Sequence, residues 1–188
     1  MSRSAVLCAV LVLLAGCSFA SGGTPAASPQ PSPDVEVSFV NAANATYGMS
    51  VLLLPRPADL ARVTYADGST ETVGNLSTVD GVGLYGPTGE SGGNVDDVVP
   101  IAVEPLDTRT YHDVGPWSSV FSTFERPPRN AALFVVVTAT DGVYLWATGT
   151  CGGNDSLNAF GVEIRDVGPG VSVGCEGFES GTRETTPR

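Results

Sequence analysis

Three groups of residues in this 188-residue chain have the types and spacing that chemistry needs. The first is Ser91, set in the run Gly89-Glu90-Ser91-Gly92-Gly93. A serine hydroxyl becomes a useful nucleophile only beside a base, and His112 is the sole histidine. With Asp96, Asp97 or Asp107 orienting that imidazole, the set would support acyl transfer. The second group is Glu90, Asn94, Asp96 and Asp97, whose oxygens suit a hard cation such as Ca²⁺. The third is Trp117, Phe121, Phe124, Arg126 and Arg129, the aromatic-plus-arginine composition of interaction hot spots. Core packing beside Pro127-Pro128 is the simpler account of those rings. His112 with Asp113 would suit a pH-responsive or metal-binding pair. One histidine cannot furnish the two histidines and cysteine of a copper site, so a surface or structural role is expected for it.

Chemistry depends on the elements that hold it, and here the candidates weaken. The Ser91 run resembles the G-x-S-x-G pattern of serine hydrolases. It is also similar to the Gly-Asp-Ser-Gly-Gly around the nucleophile of trypsin-like proteases, with Glu90 in place of aspartate. Serine, acid and histidine follow in the hydrolase order. The hydrolase elbow, however, requires a strand before the serine and a helix after it. Residues 83–94 read as a glycine-rich loop with no helix-forming run behind it. A trypsin-like enzyme would need its histidine before the serine and a longer domain. Among 23 glycines such a pattern arises easily. The EF-hand spacing is absent from the Glu90–Asp97 group, and a solvated acidic turn explains it as well. The expectation is a non-enzymatic protein, and no cofactor is implied.

The elements themselves read as strands. Residues 35–39 alternate with period two, and residues 49–54 form a short apolar run. Residues 62–65 and 70–73 flank Asp67-Gly68, a hairpin signal. Residues 98–103 and 108–111 are shorter candidates. The β-branched run 132–139 has the composition of a central strand buried on both faces, and Asp141-Gly142 turns it into 143–150. Residues 160–165 and 171–175 complete the series. Trp117, Val120, Phe121 and Phe124 sit at helical spacing behind Pro116, but the Ser/Thr/Phe content and β context favour a strand over 116–124. Together these predict an all-β fold, an Ig-like antiparallel β-sandwich of about 8–10 short strands over residues 34–176.

Cysteine usage and the N-terminus say where such a domain would work. Arg3 precedes an apolar run, residues 5–14, too short for a bilayer span and the right length for a signal-peptide core. It ends in Leu14-Ala15-Gly16-Cys17, which resembles the lipobox of prokaryotic lipoproteins, bacterial or haloarchaeal. That resemblance covers the first 17 residues. It implies cleavage after residue 16, lipid on Cys17, and anchoring to the outer face of the cytoplasmic membrane. Two acyl chains give stable anchoring where one is marginal. Residues 17–33, rich in serine, proline and alanine, then read as a tether, and residues 177–188 as a flexible polar tail.

With Cys8 removed and Cys17 acylated, Cys151 and Cys175 remain as an even pair, expected to form a disulfide in an exported domain. Lysine is absent. Loss of Arg3 takes the formal charge from −11 to −12, a balance that repels nucleic acid. The expected partners are the membrane, through the lipid, and an envelope protein or solute. A solute- or Ca²⁺-binding accessory lipoprotein of a transporter is an alternative of another kind. Asn44, Asn75 and Asn154 head Asn-x-Ser/Thr sequons and are possible glycosylation sites.

Overall fold

The computed structural model describes residues 32–78, 80–86 and 94–177. Twelve strands run in chain order through them: β1 Val35–Ala42, β2 Tyr47–Leu54, β3 Leu60–Tyr65, β4 Thr70–Val73, β5 Gly81–Tyr85, β6 Val95–Ile101, β7 Asp107–Val114, β8 Ser118–Phe124, β9 Ala132–Ala139, β10 Gly142–Thr150, β11 Ser156–Arg165 and β12 Gly168–Glu176. One 3₁₀ turn, Leu76–Thr78, is the sole helical element among the described residues. The strands form a four-stranded sheet ordered β12-β11-β1-β8, a five-stranded sheet ordered β5-β10-β9-β2-β7, and a three-stranded sheet ordered β4-β3-β6.

Period-two alternation explains which side chains meet. On β1, Val35, Val37 and Phe39 are buried while Glu36 points outward. The apolar run of β9 is buried on both faces because two separate clusters flank it. Leu133, Val135 and Val137 join a cluster that also takes Val37 and Phe39 of β1, Phe124 of β8 and Phe160 and Val162 of β11. Ala132, Phe134 and Val136 join a second cluster with Ala61 and Val63 of β3 and Val95 and Val98 of β6. On β10 a bulge between Val143 and Leu145 shifts the alternation, so Val143 and Trp146 share the second cluster. Trp146 stacks on Tyr85 at 4.0 Å between centroids. Each fully buried Leu, Phe or Val contributes roughly 1.5–3 kcal/mol.

The Cys151–Cys175 disulfide is present, with Cα atoms 5.8 Å apart. It links the residue after β10, in the five-stranded sheet, to β12, in the four-stranded one. Both Asp-Gly turns are formed. Gly68 has φ +83°, and Gly142 has φ +117° where an added Cβ would stand 2.3 Å from the Val95 carbonyl oxygen. Residues 118–124 are a strand, not a helix.

Two features differ from the sequence expectation. There are twelve strands rather than eight to ten, partly because residues 81–85, three of which lie in the stretch that reads as loop, form β5. Glycine concealed that strand: a Cβ on Gly83 would lie 2.7 Å from both the Thr148 and Tyr85 hydroxyls, so only glycine fits the pairing. The pairing is also not wholly antiparallel, since β1 runs parallel to β11 from Glu36 opposite Ala159 to Ala42 opposite Arg165. First and eleventh strands are joined through long-range apolar contacts that no local signal marks.

Candidate functional site

A surface with several kinds of polar side chain is built where β7 departs from regular pairing with β2. Tyr47 pairs with Val114 and Met49 with Tyr111, so His112 and Asp113 together stand opposite Gly48. Such a bulge twists a strand and re-aims its side chains. Asp113 completes it in the left-handed region, at φ +54°. Aspartate tolerates this region better than most residues but still bears strain that glycine would avoid. On the other side Gly48 pairs with Thr138 of β9. A Cβ on Gly48 would fall 2.7 Å from the Thr138 hydroxyl and 3.3 Å from the Tyr111 carbonyl oxygen. Glycine therefore forms a low floor, and a cleft of about 550 Å³ opens over it, walled by Thr46, Tyr47, His112, Asp113, Thr138 and Thr140. Burial, then the neighbouring Tyr144 and Asp166, push the Tyr47 hydroxyl above its ordinary pKa.

The corner after the bulge is clamped from inside. Asn41 is fully buried. Its amide nitrogen donates to the carbonyls of Ala45 (2.7 Å), Val114 (2.9 Å) and Gly115 (2.8 Å), two hydrogens serving three acceptors. Its Oδ1 accepts from the Ala43 N–H at 3.1 Å. One side chain thus fixes the turn between β1 and β2 and the crossing from β7 to β8. Trp117 lies just beyond, 72% exposed and at φ +56°.

The aromatic–arginine group does not lie wholly on the surface. Phe124 is 2% exposed and belongs to the core, with the Arg109 guanidinium 5.6 Å from its ring centre, so its place on a binding face is corrected. Phe121, three residues earlier on the outward register of β8, is 71% exposed. Arg126 and Arg129 are exposed, and the Arg126 N–H donates to Asp34 at 2.9 Å. A spacing of three keeps two rings on one face of a helix and sends them to opposite faces of a strand.

Of the nucleophilic set, Ser91 lies outside the described residues, while His112 is exposed on β7 at the edge of the five-stranded sheet. A strand, β5, does precede the Ser91 run, but strand β6 begins at Val95 where the hydrolase elbow would need a helix. Glu90 is also outside the described residues. Asn94, Asp96 and Asp97 are exposed at the start of β6. Among the described residues no three His, Cys, Asp or Glu side chains gather closely enough to hold a metal ion. Cys17 lies outside the described residues too. The sequon asparagines Asn44, Asn75 and Asn154 are all exposed.

Sequence reasoning singled out His112 and Asp113 but missed Thr138, Thr140, Gly48 and Asn41. Gly48 was the one legible clue, a lone glycine in an otherwise apolar strand, which marks a bulge or a close backbone approach. Comparison of the chain with protein-family models, with curated proteins and with solved structures gave no match in any of the three.

Proposed function

We propose that this protein is a lipoprotein of a prokaryotic cell envelope, cut before Cys17 and held by lipid on that cysteine, whose strand domain serves as a binding module and not a catalyst. The observation that carries the reading is the junction Leu14-Ala15-Gly16-Cys17 between an apolar run and a Ser/Pro-rich stretch, ahead of a disulfide-linked domain. Residues 17–33 act as the tether. The strand β1 that follows it starts at Val35. The other end of β1, at Ala42, adjoins the β1–β2 turn, the clamped corner and the cleft.

We also read the four- and five-stranded sheets as the two layers of an Ig-like sandwich. Support comes from the single apolar cluster to which both contribute, and from the disulfide that ties β12 to the end of β10. The parallel β1–β11 pair and the added three-stranded sheet are departures from the simplest such arrangement.

The test of the anchor is metabolic labelling with a fatty-acid analogue in a prokaryotic host. The wild-type chain is expected to carry label and to sediment with membranes, and Cys17→Ser to lose label and be released. Retention of Cys17→Ser in the membrane fraction would overturn the reading.

A further inference from the structure

The cleft over Gly48 gathers five solvent-exposed polar side chains, Thr46, His112, Asp113, Thr138 and Thr140, in one place. Its wall presents three threonine hydroxyls, one imidazole and one carboxylate around a backbone floor. Among the described residues none of these five side chains bonds to another part of the protein. Each hydroxyl both donates and accepts, the imidazole offers one nitrogen of each kind when neutral, and the carboxylate accepts on two oxygens. The backbone that aims His112 and Asp113 is strained at Asp113, and strain of this kind persists where surrounding structure over-determines it. Here Asn41 supplies that determination through the carbonyl of Val114, the next residue.

Such a lining selects its ligand by elimination. An anion would meet the Asp113 carboxylate, and Asp166 near Tyr47, on a chain of formal charge −11. A metal ion would have only one imidazole and one carboxylate in the cleft wall. An apolar ligand would leave the wall's polar atoms desolvated and unpaired. A neutral molecule carrying several adjacent hydroxyls matches donor to acceptor around the whole wall.

We propose that this cleft binds a neutral sugar, with Asp113 and His112 taking adjacent hydroxyls and Thr138 and Thr140 completing the hydrogen bonds. The proposal rests on the reading of the domain as a binding module and is independent of the lipid anchor, whose labelling test stands or falls separately. Asp113→Gly tests it cleanly. Glycine accepts φ +54° without strain, so the fold is kept while the carboxylate is lost.

The full chain would be titrated with D-glucose, D-galactose and D-mannose by saturation-transfer difference NMR, with its melting temperature recorded alongside. At least one sugar is expected to bind saturably. Asp113→Gly and His112→Ala are each expected to weaken it by about tenfold or more, the scale of one charge-assisted hydrogen-bond set, without lowering the melting temperature. Thr138→Val should weaken it less. No saturable signal from any of the three sugars, or a signal that Asp113→Gly and His112→Ala leave unchanged, would overturn the proposal.

Discussion

The β9–β10 hairpin and the β7–β8 corner both reverse or redirect the chain, by opposite means. In the hairpin, local sequence suffices: β-branched and apolar runs on both sides, a two-residue turn, and a glycine at φ +117°. Every inward residue from Leu133 to Val137 finds apolar neighbours. The corner lacks such signals. It places an aspartate and a tryptophan in the left-handed region and depends on a buried asparagine some 70 positions away in the chain, Asn41 bonding across 73 and 74 residues. The hairpin is built for stability. The corner displays side chains, and its stability is borrowed from elsewhere.

Six substitutions at five positions would break or sharpen this contrast. Phe134→Ala, in the fully buried centre of β9, should cost about 3–5 kcal/mol in urea unfolding. Phe121→Ala, on the exposed side of β8, should stay within about 0.5 kcal/mol. Comparable losses at the two sites would mean that the outward face of β8 is covered in solution.

Asn41→Ala comes next, at about 2–3 kcal/mol, because it strands buried carbonyls and one N–H together. Amide hydrogen exchange should accelerate first at residues 43–48 and 111–118 and least in β9 and β10. Uniform acceleration would show that the corner is not a separate, clamped unit.

Trp117→Gly should stabilise by up to about 1 kcal/mol, since the left-handed backbone strains an L-residue by more than glycine loses in chain entropy. Trp117→Ala keeps the Cβ and should give no such gain. If both variants gain equally, exposure of the ring and not backbone strain is the cause.

The smallest effect belongs to the β3–β4 turn, a second locally specified reversal. The Ser69 hydroxyl and N–H donate to the Asp67 carboxylate at 2.6 and 2.8 Å and hold its pKa below the usual carboxylate range. A depressed folded pKa stabilises above the unfolded value, near 3.9, and that contribution disappears as pH falls through the folded value. Asp67→Ala should therefore be slightly less stable than wild type at pH 7, with the two melting temperatures converging in acid. A gap that persists at pH 2 would assign the effect to packing, not to the ionised carboxylate.

Much of the architecture was legible in the residues because period-two alternation and Asp-Gly turns act over short distances. β1, β9, β10 and both hairpin turns follow from them, and the Cys151–Cys175 pair followed from counting cysteines. β5 did not follow, because Gly83 carries no side chain to show the alternation and its role appears only against Thr148 and Tyr85. The aromatic group was legible as composition and not as a surface. Helix-like spacing at Phe121 and Phe124 placed one ring in solvent and one in the core once the segment was extended.

The sequence by itself determined that the chain is built of strands, which turns they make, and which cysteines pair, because these depend on local propensity and on arithmetic. Tertiary structure decided that β1 lies parallel to β11, that His112 and Asp113 share a bulge with Gly48, and that Thr138 and Thr140 wall the same cleft. Those facts join residues as many as 123 positions apart, such as Glu36 and Ala159, and are selected by the packing of whole sheets. No window of neighbouring residues contains that information.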